Sequence, residues 1–477
     1  MICVPITASK VREAIKDIRE ASKIADLIEL RLDLIKDVNE NKLEKLLGSK
    51  KKKIIVTDRK KRLRLIEKAI ELKAGFVDLD ISMGEKTIKK IIKNKKNTKA
   101  IVSFHNFKET NKKEISNELK KIEKLKPDII KIATFAECVN DNIIIFDLIR
   151  KNKDKKIIAM CMGEKGEPSR VLAPLFGSFL TFGSLKKGKE SAPGQIEAKV
   201  LRDVYRIDKL KGKKVKIFGL VGNPVKYSKG FLVHNRAFEK LKLDGVYVNF
   251  LTDHLGNFIK NYSNLVSGLS VTIPFKREII KYVDKTDPTA KDIGAVNTVV
   301  NAKGKLIGYN TDCIGAVKAI KEKTDIKNRK AVIIGAGGAA RAIAYGIKEE
   351  KGKLIILNRT ISKAEKLAKE LGCEYGSLDK LGGIKNINIL INATSIGMRP
   401  SVNESPVKNN KLLKEMVVFD TVYNPAMTKL LKDAKANGCK VINGVEMFIN
   451  QAAAQFELFT GRKAPIGVMR AIMRETL

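Results

Sequence analysis

Tryptophan is absent from the 477-residue chain, histidine occurs three times, and aromatic residues make up only 6%. Reading single-stranded nucleic acid by stacking needs more platforms than that. Six cysteines are scattered without paired spacing, which excludes a disulfide framework and a Cys-x-x-Cys zinc site. With no His-x-x-His and no acidic cluster at ligand spacing, no metal is expected. No apolar run reaches the ~18 residues of a membrane span, and the first residues, MICVPITASK, lack the charged-then-apolar layout of a signal peptide. The expectation is a cytoplasmic chain with no membrane partner and no signal of its oligomeric state.

Acidic residues are also scarce, 53 against 94 basic ones, for a net charge of +41. Such an excess can mark a nucleic-acid binder. The lysines, however, are spread along the chain, and runs such as Lys50–Lys53 and Lys211–Lys214 fall in connections rather than on one helix. Lys, Ile and Asn share A/T-rich codons, so compositional drift explains them, and no nucleic-acid partner is expected. The positive field still draws in anionic metabolites.

The length suggests about three domains, and a hydrophobic fraction of 44% supplies their cores. Ala331–Arg341, AVIIGAGGAAR, is an apolar run followed by Gly335, Gly337 and Ala340 in the spacing G-x-G-x-x-A, with Gly338 and Ala339 between them. That predicts a strand, a tight turn and a helix start, where backbone N–H groups hold a pyrophosphate. A second strand, Lys353–Leu357, ends in Asn358-Arg359-Thr360, with Lys363 close behind. An acid here would accept from a ribose 2′-hydroxyl, whereas Arg359 and Thr360 suit a 2′-phosphate. The expected cofactor is NADP(H).

Residues 1–208 alternate short apolar runs with longer amphipathic segments. The runs are Ile2–Ile6, Asp26–Leu32, Ile54–Thr57, Phe76–Asp80, Ala100–Ser103, Ile129–Ala133, Ile157–Met162 and Ser178–Thr181, with helical patterns such as Val11–Lys23, Lys61–Lys73, Lys113–Leu125 and Asp141–Lys151 between them. Eight such repeats predict a (β/α)8 TIM barrel with its reactive groups at strand C-termini. Polar residues fall there: Glu29 and Arg31, Thr57 and Arg59, Asp80, His105, and Lys131 inside the sixth run. Period-2 alternation places Lys131 on the side of Ile129 and Ala133. Both sides of a parallel barrel strand are covered, so its amine pKa is expected to fall and the neutral amine to attack a carbonyl.

These residues, with ELRLD, SFHNF, IIKIA, Ser169-Arg170 and SAPGQI, resemble type I 3-dehydroquinate dehydratase over essentially all of residues 1–208. The resemblance implies that Lys131 forms an imine with the substrate ketone, while His105 moves the C2 proton and protonates the departing hydroxyl. It assigns Glu29, Arg31, Arg59, Arg170, Ser191 and Gln195 to the hydroxyls and carboxylate, with Met162 and Phe182 as apolar walls. One departure stands out. Where the family has a glutamate-glycine-glycine loop that orients the histidine, this chain runs Arg59-Lys60-Lys61-Arg62-Leu63, which leaves Asp80 to take over or the dehydratase impaired.

Leu201–Lys214 reads as a last barrel helix running into a charged connector, and Ile217–Val221 as the first strand of a new domain. GLVGNPVKYSKGFLVHNRAF, LSVTIPFK, GAVNTV and GYNTD then precede the nucleotide fingerprint. Lys276 can give a proton to an oxygen that gains charge as hydride arrives, with Asp312 as its ion-pair partner; Asn297 and Thr272 can bind hydroxyls. The set resembles shikimate dehydrogenase across residues 216–477. That implies Ser228 and Tyr423 at the substrate carboxylate, Thr272, Lys276, Asn297, Asp312 and Gln451 at the ring hydroxyls, and Lys276 with Asp312 as the catalytic pair. Thr394 in Asn392–Met398 matches the cofactor-side loop, and Gly444 and Met447 match the return helix, where packing accounts for them equally well. The family motif Ser-Lys-Ser-Pro reads Ser228-Lys229-Gly230-Phe231 here. Gly230 leaves room beside C1, so a quinate preference stays open.

The two resemblances together imply a fusion in which 3-dehydroquinate becomes 3-dehydroshikimate and then shikimate. The expected divisions are a barrel at 1–208, a substrate-binding domain at 209–320, a Rossmann domain at 321–443 and returning helices at 444–477. A regulator built from retired enzyme domains would have lost Lys131, His105, Lys276 or Asp312; all four are present.

Overall fold

The computed structural model describes residues 1–48, 52–210 and 215–476, so the lysine runs at 50–51 and 211–214 lie outside the described residues. Two compact units emerge, Met1–Lys216 with Asp244–Asn261, and Ile217–Leu243 with Tyr262–Leu477. No helix among the described residues is long and apolar enough to cross a membrane.

The first unit holds eight parallel strands, β1 (Ile2–Ile6), β2 (Leu27–Arg31), β3 (Lys53–Thr57), β4 (Phe76–Asp80), β5 (Lys99–His105), β6 (Ile129–Phe135), β7 (Ile157–Met162) and β8 (Thr181–Phe182), in the order β7-β6-β5-β4-β3-β2-β1-β8. This is the expected barrel. The eighth strand lies later than the predicted Ser178–Thr181. Ser178 and Phe179 serve as a closing link instead: the Phe179 N–H donates to the Ile157 carbonyl at 2.7 Å, and the Ser178 hydroxyl accepts from the Ala159 N–H at 3.4 Å. Only Thr181 and Phe182 form a ladder, with Ile2 and Cys3.

Alternate strand residues point inward, and Leu27, Ile55, Phe76, Ile101 and Ile129 share one buried cluster. The residues two and four further on along those strands are Glu29 and Arg31, Thr57, Asp78 and Asp80, Ser103 and His105, Lys131 and Ala133. A side-chain period of 2 therefore stacks a polar layer directly on the apolar floor, at the strand C-termini. Outside, the helix Val11–Ile24 buries Val11, Ala14, Ile18 and Ala21 along one face. The helix predicted at Lys61–Lys73 forms as Leu63–Glu71, because Asp58 accepts from the Lys60 and Arg62 N–H groups and holds that stretch as a turn. The last barrel helix is Ala198–Asp203, and Arg206 beyond it has a left-handed φ of 52° that ends helical propagation.

Strands β9 (Lys216–Gly222) and β10 (Gly245–Leu251) follow. In the second unit β9 runs parallel to β11 (Gly268–Val271). The order continues through β13 (Thr298–Ala302) and β14 (Lys305–Tyr309) to β12 (Lys285–Thr286). The nucleotide sheet is fully parallel, in the order β17-β16-β15-β18-β19-β20. Its strands are β15 (Lys330–Ile334), β16 (Lys353–Leu357), β17 (Glu374–Gly376), β18 (Ile389–Asn392), β19 (Val417–Asp420) and β20 (Lys440–Ile442). Ala331, Ile333, Ile389, Ile391 and Phe419 fill the core on one face, and Val332, Ile334, Leu390 and Val418 fill it on the other. Burial on both faces accounts for the continuous apolar runs. The sequence order reverses between β15 and β18, which opens a crevice at their C-terminal ends.

Candidate active sites

Strand ends around the barrel mouth line a cavity of about 310 Å³ with Glu29, Arg31, Arg59, His105, Lys131, Met162, Arg170, Phe182, Ser191 and Gln195. The structure thus brings together every residue that the first half's sequence singled out as reactive, binding or apolar wall. Lys131 is 5% exposed, and its ammonium lies 4.5 Å from the centre of the Phe182 ring. Nζ donates to Asp78 Oδ2 at 2.6 Å and to Glu29 Oε1 at 3.3 Å, and Glu29 is steadied by the Thr57 hydroxyl at 2.9 Å.

Here the structure reverses an expectation. Burial alone pushes the Lys131 pKa down, but the Asp78 and Glu29 carboxylates outweigh it and hold the amine above its ordinary value. The free protein therefore stores Lys131 charged. Asp78 is the group that sequence reasoning missed. It is driven to about 2: burial raises it, but the charges of Lys131, Arg59 and His105 prevail. Its signal was available in FVDLD, where Asp78 and Asp80 share one face.

His105 lies beside Asp80, with Nδ1 to Oδ2 at 3.2 Å. Arg59 meets the ring at both nitrogens, at 2.9 and 2.6 Å, and pairs with Asp80, while Asp80 Oδ1 accepts from the Ser82 N–H at 3.0 Å. A carboxylate from β4 thus sits against the histidine where the loop after Arg59 carries none. Burial first, then the charges of Arg59 and Lys131, push His105 down to about 4 against the pull of Asp80. With 15N-labelled histidine, the His105 ring is expected to remain neutral at pH 5; titration near 6.5 would contradict the burial argument. Arg170 is 1% exposed, spends one Nη on the Pro193 carbonyl at 3.0 Å and the other on the Met160 sulfur at 3.7 Å, and leaves Nε without a partner. A buried guanidinium with a free donor can seat a carboxylate. Arg31 is held flat by two bonds to Asp33 at 3.0 and 2.7 Å, and Gln195 accepts from the Ser191 N–H at 2.7 Å.

In the second unit, Lys276 Nζ meets Asp312 Oδ2 at 2.5 Å. Asp312 sits in the first turn of the helix Thr311–Lys321, whose N-terminus is capped by Asn310. Asn297 holds the same turn: its Oδ1 accepts from the Thr311 N–H at 2.8 Å and its Nδ2 donates to the Thr311 hydroxyl at 3.0 Å. Most of its amide is thus committed to placing Asp312. Thr272 is packed so closely that a Cβ at Gly222 would meet its Cγ2 at 2.3 Å. Tyr423 lies within hydrogen-bonding reach of the Ser228 side chain, so the two expected carboxylate contacts are neighbours. A Cβ at Gly315 would fall 3.0 Å from Gln451 Cβ, placing Gln451 on the helix packed against Thr311–Lys321.

The dinucleotide turn stands directly beside this pair. Gly335 has φ +120°, and a Cβ there would come within 2.9 Å of the Ala393 carbonyl and 3.2 Å of Thr394 Cγ2; one at Gly338 would lie 3.2 Å from Lys276 Cδ. Gly337 and Gly338 open the helix Gly338–Glu349, continued by Ala339, leaving bare N–H groups for a pyrophosphate. At the end of β16, Arg359, Thr360 and Lys363 are exposed, Asn358 Nδ2 donates to the Thr360 carbonyl at 2.9 Å, and the Thr360 hydroxyl makes no cap bond. Two free cations and a free hydroxyl at a helix start fit a 2′-phosphate. Met447 is 6% exposed within the nucleotide-domain core, and Gly444 is pressed against Thr421 and Val422. Among the described residues no group of three or more His, Cys, Asp or Glu could hold a metal.

Comparison with known proteins divides the chain where the two sites do. A family model described as type I 3-dehydroquinase matches residues 2–211. Models for the shikimate dehydrogenase substrate binding domain, shikimate/quinate 5-dehydrogenase and the shikimate 5′-dehydrogenase C-terminal domain match 220–299, 317–426 and 444–474. The chain is 38% identical over 502 aligned residues to the chloroplastic bifunctional 3-dehydroquinate dehydratase/shikimate dehydrogenase of Arabidopsis thaliana, spanning 98% of this chain and 83% of that one. It is 31% identical to the shikimate biosynthesis protein AroDE of Chlamydia pneumoniae, spanning 96% and 95%. A crystal structure of a shikimate dehydrogenase in complex with NADP+ aligns with a TM-score of 0.53 at 43% identity, over 55% of this chain and 96% of that one.

Proposed function

The chain belongs to the bifunctional 3-dehydroquinate dehydratase/shikimate dehydrogenase family, and from that premise we propose that it converts 3-dehydroquinate to 3-dehydroshikimate in the barrel and reduces it to shikimate with NADPH in the second unit. By role the chain divides into 1–208, 209–320, 321–443 and 444–477, acting in the cytoplasm on small anionic substrates. The observation that carries the reading is Lys131 sharing one cavity with His105 and Arg170. The bifunctional Arabidopsis relative, matched over 98% of this chain, favours this reading over a quinate-preferring or impaired enzyme, and Asp80 beside His105 argues against the latter.

In the barrel, Arg170 takes the substrate carboxylate and Glu29, Arg31, Arg59, Ser191 and Gln195 its hydroxyls. Lys131 must shed a proton before it attacks, and until then Asp78 at 2.6 Å holds the ammonium in place. The amine adds to the ketone and a first water leaves as the imine forms. The iminium acidifies the adjacent C2–H, which neutral His105 removes; the same proton then goes to the departing C1 hydroxyl, and a second water leaves. Addition of one water to the imine releases 3-dehydroshikimate and restores Lys131, for a net loss of one water.

In the second unit, Ser228 and Tyr423 hold the carboxylate and Thr272, Asn297 and Gln451 the ring hydroxyls. Bound NADPH supplies a hydride. Lys276 delivers the proton to the ketone oxygen, and Asp312 keeps that lysine in place. The pyrophosphate belongs at Gly335, Gly337, Gly338 and Ala339, the 2′-phosphate at Asn358, Arg359, Thr360 and Lys363, and the nicotinamide side near Thr394, Gly444 and Met447. Supplying 3-dehydroquinate and NADPH and following nicotinamide absorbance tests the whole reading, since only two working halves consume NADPH. Arg359→Ala is expected to weaken NADPH binding about tenfold or more, the worth of a charge-assisted bond, while NADH binding stays unchanged.

A further inference from the structure

Two strand ends of the nucleotide sheet carry a buried polar pair outside the residues that meet substrate. Asn392 at the end of β18 and Asp420 at the end of β19 stand opposite each other in register, and neither is exposed. The chain leaves Asn392 for the loop containing Thr394, and leaves Asp420 for the segment containing Tyr423.

A buried carboxylate needs donors, and Asp420 has three. Oδ1 accepts from Asn392 Nδ2 and from the Val422 N–H, both at 3.0 Å, and Oδ2 accepts from the Thr428 hydroxyl at 2.6 Å. Asn392 is equally committed: Nδ2 also donates to the Ile396 carbonyl at 3.1 Å, and Oδ1 accepts from the Thr394 N–H at 3.1 Å and its hydroxyl at 2.7 Å. A carboxylate can only accept, so it dictates which end of the Asn392 amide faces it, and the amide oxygen is thereby aimed at Thr394. Burial lifts Asp420 to about 6 against these donors, so it remains mostly ionised at neutral pH. Both loops are hemmed in from outside as well: a Cβ at Gly335 would crowd Ala393 and Thr394, and one at Gly444 would meet the Thr421 carbonyl at 2.5 Å.

We propose that Asn392 and Asp420 are positioning residues of the reductase, a clamp that holds the cofactor-side loop through Thr394 and the substrate-carboxylate arm through Val422 in one register. The inference rests on the assignment of Thr394 to cofactor and Tyr423 to substrate. Asn392→Asp sets a second carboxylate against Asp420 and tests it in the full chain. The Kd for NADPH, read by titrating nicotinamide fluorescence, and the KM for 3-dehydroshikimate are both expected to rise tenfold or more. At saturation kcat should stay within about threefold, because Lys276 and Asp312 are untouched. Dehydratase turnover by the same molecule should not change. If the paired acids block folding of the second unit, Asp420→Ser removes the charge and reads the same quantities. A loss of kcat or thermal stability with both binding constants unchanged would overturn the clamp. Wild-type protein that binds NADPH but does not reduce 3-dehydroshikimate would sink the substrate assignment instead, and the NADPH titration of the variant would still decide the clamp.

Discussion

Lys131→Met is expected to lower dehydration of 3-dehydroquinate by roughly four orders of magnitude or more, as loss of a covalent nucleophile does. Reduction of supplied 3-dehydroshikimate should continue. Borohydride with substrate should add a reduced substrate mass to the wild type and none to the variant; equal labelling of both would place the imine elsewhere. Methionine is preferred to alanine because it fills the space over Phe182. The substitution also strands Asp78 and Glu29, which are 3% and 4% exposed, and an unpaired buried charge costs about 3–5 kcal/mol. Asp78 will respond by taking up a proton. In the wild type its carboxyl is depressed to about 2, so it contributes stability above the ordinary carboxylate value near 4 and loses it as pH falls toward 2. The variant lacks that contribution, so its stability deficit against the wild type is expected to be largest near neutral pH and to narrow as pH falls toward 2. Asp78→Asn separates the effects: it leaves the nucleophile in place and removes the first of the carboxylates that hold the amine charged, so the pH profile of imine formation should shift to lower pH.

Lys276→Ala is expected to cost the reductase about two to four orders of magnitude, the usual worth of a positioned general acid, with dehydration intact. Asp312→Asn should act in the same direction through Lys276, since the 2.5 Å contact holds that amine in place. The informative experiment combines the lesions. A mixture of Lys131→Met and Lys276→Ala chains is expected to regain NADPH consumption from 3-dehydroquinate, because the described residues of each site lie within one compact unit. Failure of the mixture, with each variant retaining its other activity, would mean that the intermediate does not pass between molecules.

Much of this could be read before any coordinates. The runs Phe76–Asp80 and Ile157–Met162 and the helix Asp141–Lys151 form at their predicted bounds, because apolar period and flanking polar residues are local properties. The glycine turn after β15 was equally plain. The eighth strand lies later than its apolar run predicts because Ser178 and Phe179 meet β7 through single side-chain and backbone bonds, which periodicity cannot distinguish from a ladder. The helix after Arg59 starts later than its apolar period predicts because Asp58, whose side chain makes the turn, is indistinguishable in sequence from a surface acid.

The charge on Lys131 belongs to tertiary structure alone. Its partners Asp78 and Glu29 lie 53 and 102 residues away, and a pKa is set by distance in space. The same holds for Asp80 beside His105, for Gly338 against Lys276 and for Asn392 against Asp420. By itself the sequence determined which residues could do chemistry and on which side of each strand they stand, because alternation is written into the backbone. Which of them are charged, and what holds each in place, was decided when closure of the barrel and pairing of β18 with β19 brought distant side chains within hydrogen-bonding reach.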